Sequence, residues 1–227
     1  MVVVAGLVSS PEVKVLMRRA SVLLVVAVSA VTGCTAVPSP SAPPPTPLPT
    51  VAPALELPNP VTALEPGRYT MTAFEPPITF AVGPGWTAAQ ATGGFFDVQQ
   101  DPGSLDVIAV QFANVARADT AEAAAQMIEA RDNLLVSDRE TVSVGGLSGI
   151  RLVVDTSDPS DSSPPIFRPV LDATPGALSI ASGRRLEVNL VDVERGVLAV
   201  LVGGSISKWG ATVEAARPVV ASISIAD

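Results

Sequence analysis

The sequence predicts an α+β fold, in which an antiparallel β-sheet carries about two helices packed on one face. Three observations support this prediction. Short runs of Val, Ile, Leu and Phe recur between residues 61 and 227, separated by turn residues. Two pairs of these runs have the spacing of hairpins, around Gly145-Gly146 and Glu194-Arg195-Gly196. Two other segments, beginning near Asp119 and Ser207, place apolar residues at helical spacing.

The strands follow from apolar runs bounded by turn signals. Gly83-Pro84-Gly85 predicts a turn that follows an early pair of strands. Asp101-Pro102-Gly103 predicts the reversal between a second pair. The predicted strands are residues 69–74, 78–82, 95–99, 107–112, 134–144, 147–154, 185–193, 197–202 and 222–225. Most of these strands are neighbours in sequence, which favours an antiparallel sheet.

The two helices are predicted from their caps and apolar stripes. Asp119 opens the first helix, with Glu122 three residues later as the partner in a capping box. Its apolar stripe consists of Ala121, Ala124, Ala125 and Ile128. The second helix is expected to bury Trp209, Val213 and Ala216.

The N-terminal segment has the build of an export signal. Met17-Arg18-Arg19 supplies a positive start, and an uncharged stretch of 14 residues rich in Val, Leu and Ala follows. Val31-Thr32-Gly33-Cys34 resembles a bacterial lipobox. That resemblance implies a signal peptide over residues 1–33, with Met17 as a possible true start, and a lipidated Cys34. Fourteen apolar residues are too few to span a bilayer, which needs about 20.

A proline-rich stalk is predicted between this anchor and the folded part of the chain. Of the 22 prolines, 11 lie between residues 37 and 66. Proline fixes φ and removes a backbone donor, so we expect residues 34–60 to be a disordered, extended linker. Residues 61–227 then form a single globular α+β domain. A proline-rich ligand for a partner protein is the alternative role of the stalk.

Composition excludes several functions. The chain contains no histidine and one cysteine, so it cannot form an internal disulfide, a Cys/His metal cluster, or a Ser-His-Asp or Cys-His catalytic centre. Beyond residue 33 the net charge is −10, which disfavours nucleic acid because its phosphates require Lys and Arg. The scarcity of Lys and the abundance of Ala, Val, Gly and Pro resemble proteins from GC-rich genomes such as those of actinobacteria. We predict no cofactor and no metal.

Two loops invite a ligand hypothesis and fail its requirements. Asp155, Asp158 and Asp161 lie at three-residue spacing, but an EF-hand loop needs a glycine and a later glutamate that this loop lacks. Gly203-Gly204-Ser205 precedes the second helix, where an anion could bind. This segment lacks the lysine and the spacing of a P-loop. A solvated loop and a simple turn are therefore the preferred interpretations.

One candidate ligand cleft is indicated by aromatic residues. Trp86, Phe95 and Phe96 are the densest aromatic group beyond the signal segment, and Arg184 and Arg185 could supply an anion partner. Core packing is the alternative for the aromatic side chains, and surface salt bridges are the alternative for the arginines.

Hydrophobic and glycine positions form a pattern spread over about 150 residues of the globular part. They are Phe74, Pro77, Phe80, Val82 and Gly85-Trp86, then Gly145-Gly146 and Gly149, and finally Trp209, Ala215, Val219 and Ser222-Ile223. In this pattern the globular part resembles PsbP/Mog1-like domains. The resemblance implies the fold and carries no catalytic motif.

The predicted function is a membrane-anchored, extracytoplasmic lipoprotein of the cell membrane that acts as a non-catalytic binding or accessory module. Its partners are the membrane, through the lipid, and an envelope protein or a small ligand. A carboxylate-dependent envelope hydrolase and a structural or assembly factor of the envelope are the alternatives. The sequence does not determine the oligomeric state.

Overall fold

A computed structural model describes residues 55–56, 62–72, 74–92, 94–157, 165–167 and 178–226. All of them belong to one compact unit, Pro49–Asp227. The predicted signal peptide, Cys34, most of the predicted stalk, and two of the aspartates of the acidic loop (Asp158 and Asp161) lie outside the described residues. Leu55 and Glu56, which belong to the segment predicted as stalk, are described and form a short strand.

The described elements are fourteen strands, two α-helices and one 3-10 turn, Ile206–Lys208. The strands are β1 (Leu55–Glu56), β2 (Thr62–Ala63), β3 (Gly67–Met71), β4 (Ile78–Val82), β5 (Trp86–Thr92), β6 (Phe95–Gln100), β7 (Ile108–Val115), β8 (Leu134–Val144), β9 (Leu147–Thr156), β10 (Pro165–Phe167), β11 (Leu178–Ser179), β12 (Arg184–Val193), β13 (Gly196–Ser205) and β14 (Ser224–Ile225). The helices are α1 (Ala121–Glu129) and α2 (Trp209–Ala221).

Eight strands form a large antiparallel sheet in the order β2-β5-β6-β7-β13-β12-β9-β8. Four strands form a smaller sheet in the order β1-β3-β4-β14, in which β1 runs parallel to β3. β10 and β11 pair with each other. The predicted α+β fold with an antiparallel sheet is confirmed.

The hairpins form where turn residues predicted them. Gly145 and Gly146 join β8 to β9 with φ values of 62° and 87°, which L-residues rarely adopt. Gly196 closes the hairpin between β12 and β13 with φ of 126°. Asp101 and Gly103 take positive φ between β6 and β7. These turns are decided by local backbone sterics, and for that reason the sequence predicts them well.

Both faces of the large sheet are buried at its centre. On β13, Leu198, Val200 and Val202 belong to one core cluster, together with the small sheet and α2. Val197, Ala199 and Leu201 belong to a second cluster, together with α1. Side chains alternate along a strand, so the two clusters lie on opposite faces of the sheet. We call the α2 side face 1 and the α1 side face 2.

The two helices therefore cover opposite faces, whereas the sequence analysis placed both on one face. The physical reason is visible on β13, which is buried at eight consecutive positions, Val197–Gly204. A strand that is apolar on both sides needs cover on both sides, and each helix supplies one.

The helix boundaries differ in detail from the prediction. Thr120, not Asp119, is the N-cap of α1, and its hydroxyl accepts a hydrogen bond from the Ala123 amide. Glu122 binds Arg139 and Gln126 instead of closing a capping box. The buried residues of α2 are Thr212, Ala216 and Val219. Trp209 and Val213 were predicted to be buried, but they are only half-buried because they lie at the edge of the contact with the sheet.

Candidate functional site

Face 1 is covered over only part of its width. The small sheet and α2 share a core cluster with β5, β6, β7 and β13, which also includes Val144 near the end of β8 and Val191 near the end of β12. The contacts of α2 with the large sheet are made chiefly with β13 and β7. Strands β12, β9 and β8 continue beyond α2, and a groove with a volume of about 380 Å³ lies along the helix there. This volume falls within the range of small-molecule sites.

We call this cavity the α2 groove. Its sheet side is lined by Ser143, Arg151, Glu187 and Val202. Its helix side is lined by Val213, Arg217, Val220 and Ala221. One wall is therefore mainly apolar and the other mainly polar.

The helix wall follows from the spacing of α2. Trp209, Val213 and Arg217 are four residues apart, so they share one side of the helix. This side lies next to the buried side formed by Thr212, Ala216 and Val219. Residues at the edge of a helix contact keep part of their surface exposed. As a result, α2 presents apolar surface to the groove without burying it.

The polar wall is organised around Arg151. Its guanidinium lies 2.5 Å from a carboxylate oxygen of Glu140 and 2.9 Å from one of Glu187. Burial opposes the charged form, but the hydrogen bonds to the two carboxylates outweigh it, and the pKa of Arg151 is raised. The side-chain amide of Asn189, which is only 2% exposed, donates a hydrogen bond to the Glu187 carboxylate over 3.1 Å. The charges on this wall are therefore held in place by one another.

A second ion pair extends the polar wall towards the start of α2. Arg185 donates two hydrogen bonds to the Asp155 carboxylate, at 2.9 Å from Nε and 2.6 Å from Nη2. The hydrogen bond to Asp155 raises the pKa of the guanidinium. The same guanidinium lies 5.9 Å from the ring centroid of Trp209, within the range of a cation–π contact. This arrangement fixes the orientation of both side chains.

Arg217 differs from these two arginines. It lies exposed on the helix side of the groove and makes no hydrogen bond or ion pair with any described residue. Its five N–H donors are therefore available to an anionic group, for which a guanidinium is well suited.

The structure divides the predicted cleft aromatics between the two faces of the large sheet. Phe96 is fully buried on face 1 and stacks on Phe112, with ring centroids 4.3 Å apart. Phe95 belongs to the core cluster of face 2, and Trp86 belongs to that of face 1. These three aromatic side chains therefore pack among core residues, which is the alternative that the sequence analysis gave for them.

Of the two predicted arginines, only Arg185 lies beside the groove region. Arg184 donates to the backbone carbonyls of Leu105 and Val107, and burial lowers the pKa of its guanidinium. Gly203 and Gly204 lie inside β13 and not in a turn before the helix. They therefore do not form the anion-binding turn considered above.

The sequence analysis missed the groove residues, although those on the strands follow a pattern that is visible in the sequence. On β12, the polar side chains Arg185, Glu187 and Asn189 alternate with the apolar side chains Leu186, Val188 and Leu190. This period of two indicates one covered face and one polar face. Arg151 occupies the equivalent place on β9, where it pairs with Asn189. Arg217 has no such signal, because its role depends on where α2 lies on the sheet.

Two further observations concern the part of the chain that the structure describes. No group of three or more Asp, Glu, Cys or His side chains there is arranged to hold a metal ion. None of the described helices is long and apolar enough to cross a membrane.

The fold and the groove together define an antiparallel α+β domain with one polar and one apolar groove wall. No protein-family model matches this sequence, and no curated protein is similar to it. LpqN of Mycobacterium tuberculosis, described as involved in cell envelope biogenesis, has a similar structure. It is 11% identical, with a TM-score of 0.41 over 74% of this chain and 91% of LpqN.

Two other solved structures are similar. The PsbP protein CyanoP of Synechocystis sp. PCC 6803 is 9% identical, with a TM-score of 0.41 over 71% of this chain and 93% of CyanoP. A protein of Bacteroides thetaiotaomicron VPI-5482 is 8% identical, with a TM-score of 0.36 over 66% of this chain and 45% of that protein. A PsbP is thus among the similar structures. At these identities and TM-scores, the likeness says nothing about ligand or activity.

Proposed function

We propose that this chain is a non-catalytic binding or accessory module, held on the outer face of a bacterial cell membrane by lipid on Cys34, and that its ligand binds in the α2 groove. The observation that carries the proposal is the groove itself. It combines an apolar helix wall, a polar wall fixed by ion pairs, and one unpaired guanidinium. Binding sites commonly combine apolar surface with a few oriented polar groups in this way.

The ion pairs of the groove give its carboxylates a positioning role. Glu140 and Glu187 both contact the guanidinium of Arg151, at 2.5 Å and 2.9 Å. The two carboxylates therefore serve to orient Arg151.

The walls also indicate the chemical class of the ligand. Val213 and Val220 offer apolar contact, and Arg217 offers a cation at the same wall. A ligand with an apolar body and one anionic group satisfies both features. We therefore propose an acidic amphiphile, and dodecyl phosphate below its critical micelle concentration is a suitable probe.

The anchor is tested by the intact mass of the full-length chain produced in a bacterium that processes lipoproteins. We expect a mass that begins at Cys34 and includes acyl chains, and we expect Cys34→Ala to abolish both features. An unmodified mass that begins elsewhere would contradict the anchor.

The groove is tested by calorimetric titration of the protein with dodecyl phosphate. Because hydrogen bonds to charged groups are strong, Arg217→Glu is expected to weaken binding about tenfold or more. Arg195→Glu is the matched control, since it reverses the charge of an exposed arginine outside the groove lining, with 74% of its side chain accessible. Equal binding by both variants, or no binding by the unsubstituted protein, would refute the proposed ligand class.

A further inference from the structure

Three large apolar side chains are exposed in the described part of the chain: Leu105 at 94%, Leu135 at 58% and Ile206 at 43%. All three lie at the same end of the large sheet. Leu105 is in the loop between β6 and β7, Leu135 is the second residue of β8, and Ile206 follows the last residue of β13. We call this surface the apolar end.

Pairing across the sheet confirms that these residues lie along one end of the sheet. Leu135 pairs with Asp155, which binds Arg185. Arg184, the residue before Arg185, pairs with Ser205, which directly precedes Ile206. Arg184 also donates to the Leu105 carbonyl over 3.4 Å.

The loop that exposes Leu105 is held in place by its surroundings. Arg184 donates to the Val107 carbonyl over 2.8 Å, and Lys208 forms an ion pair of 2.6 Å with Asp106. The amide of Asp106 donates to the Ser104 hydroxyl. Exposing Leu105 to water forgoes the favourable free energy of burying a leucine side chain. The loop therefore presents Leu105 outward at a fixed position.

Charge at the apolar end is balanced, although the chain as a whole is acidic. Lys208 pairs with Asp106, and Arg185 pairs with Asp155. Beyond residue 33 the net charge is −10. Cell membrane surfaces are negatively charged on average, so an acidic protein approaches them most easily through a locally neutral surface.

The direction of β1 places the start of the folded chain near this same end. β1 runs parallel to β3, and Leu55 pairs with Tyr69 two residues after β3 begins at Gly67. Gly67 pairs with Val82, and a short turn then leads to Trp86 at the start of β5. Trp86 pairs with Gln100, next to the loop that carries Leu105. Leu55, where β1 begins, therefore lies on the side of the apolar end.

We propose that the apolar end contacts the surface of the lipid bilayer, so that the domain lies on the membrane with Leu105 and Ile206 directed into the interface. The inference rests on the proposed lipid anchor, and Leu55, the described residue nearest to Cys34 in the sequence, lies on this side. Isolated protruding side chains, rather than a groove, suit a fluid lipid surface. The opposite end, which carries Arg195, then faces away from the membrane.

The test uses the full-length, processed protein in phosphatidylcholine vesicles. Leu105→Cys and Arg195→Cys are each labelled with an environment-sensitive fluorophore. Both side chains are exposed, so neither change disturbs the core. An acylated Cys34 cannot react with the label. Spin-labelled lipids placed in the bilayer then report which label contacts the membrane.

We expect the emission of the label at position 105 to move to the blue and to be quenched by the spin-labelled lipid, while the label at position 195 stays unquenched. If the mass shows acyl chains on Cys34 but both labels remain in water, the contact is refuted and the anchor stands. If quenching is equal at both positions, the orientation is refuted. If Cys34 carries no lipid, the anchor is refuted, and the membrane contact falls with it.

Discussion

The seating of α2 on the sheet depends on the absence of a side chain at Gly204. An alanine Cβ at this position would lie 2.8 Å from the Cβ of Thr212 and nearer still to the two outer atoms of that side chain. Thr212 is 2% exposed, and its β-branched side chain has little freedom to move away. Gly204→Ala therefore forces α2 away from β13, and overpacking of this kind costs about 1–3 kcal/mol of stability.

A second glycine provides a control of opposite sign. Gly210 lies in α2, and a Cβ added there would meet no atom within 4 Å. Gly210→Ala is therefore expected to raise the free energy of unfolding by about 0.5–1 kcal/mol, because alanine favours the helix. The same chemical change thus has opposite effects at two nearby positions.

A double substitution tests the cause of the loss at Gly204. Thr212→Gly removes the side chain that the new Cβ would meet, so the two changes together should cost about 1 kcal/mol less than the sum of the single effects. Urea-induced unfolding of the chain from residue 49 onward, followed by circular dichroism, measures all four variants. Strict additivity, or a Gly204→Ala variant as stable as the parent, would refute the packing argument. Because α2 forms one wall of the groove, Gly204→Ala should also weaken binding of dodecyl phosphate.

Three further predictions concern other parts of the fold. Phe96→Ala should lower the free energy of unfolding by about 3–5 kcal/mol in urea, because Phe96 is fully buried against Phe112, and a loss below 1 kcal/mol would contradict this core assignment. Thr120→Ala should cost about 1 kcal/mol and Asp119→Ala almost nothing, since only Thr120 caps α1, and equal losses would argue against this cap. Hydrogen bonds from Arg139 and Gln126 hold the pKa of Glu122 below its ordinary value of 4.5. The stability that Glu122 contributes is therefore present above about pH 4.5 and lost as the pH falls through the lower folded value, and Glu122→Gln should remove this loss from the pH profile of unfolding.

The groove is formed by segments that are far apart in the sequence. Its helix wall comes from α2, and its polar wall comes from β8, β9 and β12, which precede α2 by up to 75 residues. The alternation of Arg185, Glu187 and Asn189 predicts a polar face on β12, yet nothing local says what lies beside it. Arg217 became part of a site only because Thr212 rests on Gly204, which sets α2 over β13. Contacts of this kind carry no periodic signal in the sequence.

The sequence by itself determined the hairpins, the two helices and the α+β class, because turn sterics and side-chain periodicity act over a few residues. It also determined what the chain cannot use for catalysis, since histidine is missing and the one cysteine is Cys34. Tertiary structure decided the rest. β7 pairs with β13 across more than 80 residues, and this non-local pairing decides which strands lie at the sheet centre and need a helix on each side. Only that arrangement separates α1 from α2, leaves a groove beside α2 on face 1, and gathers Leu105, Leu135 and Ile206 at one end.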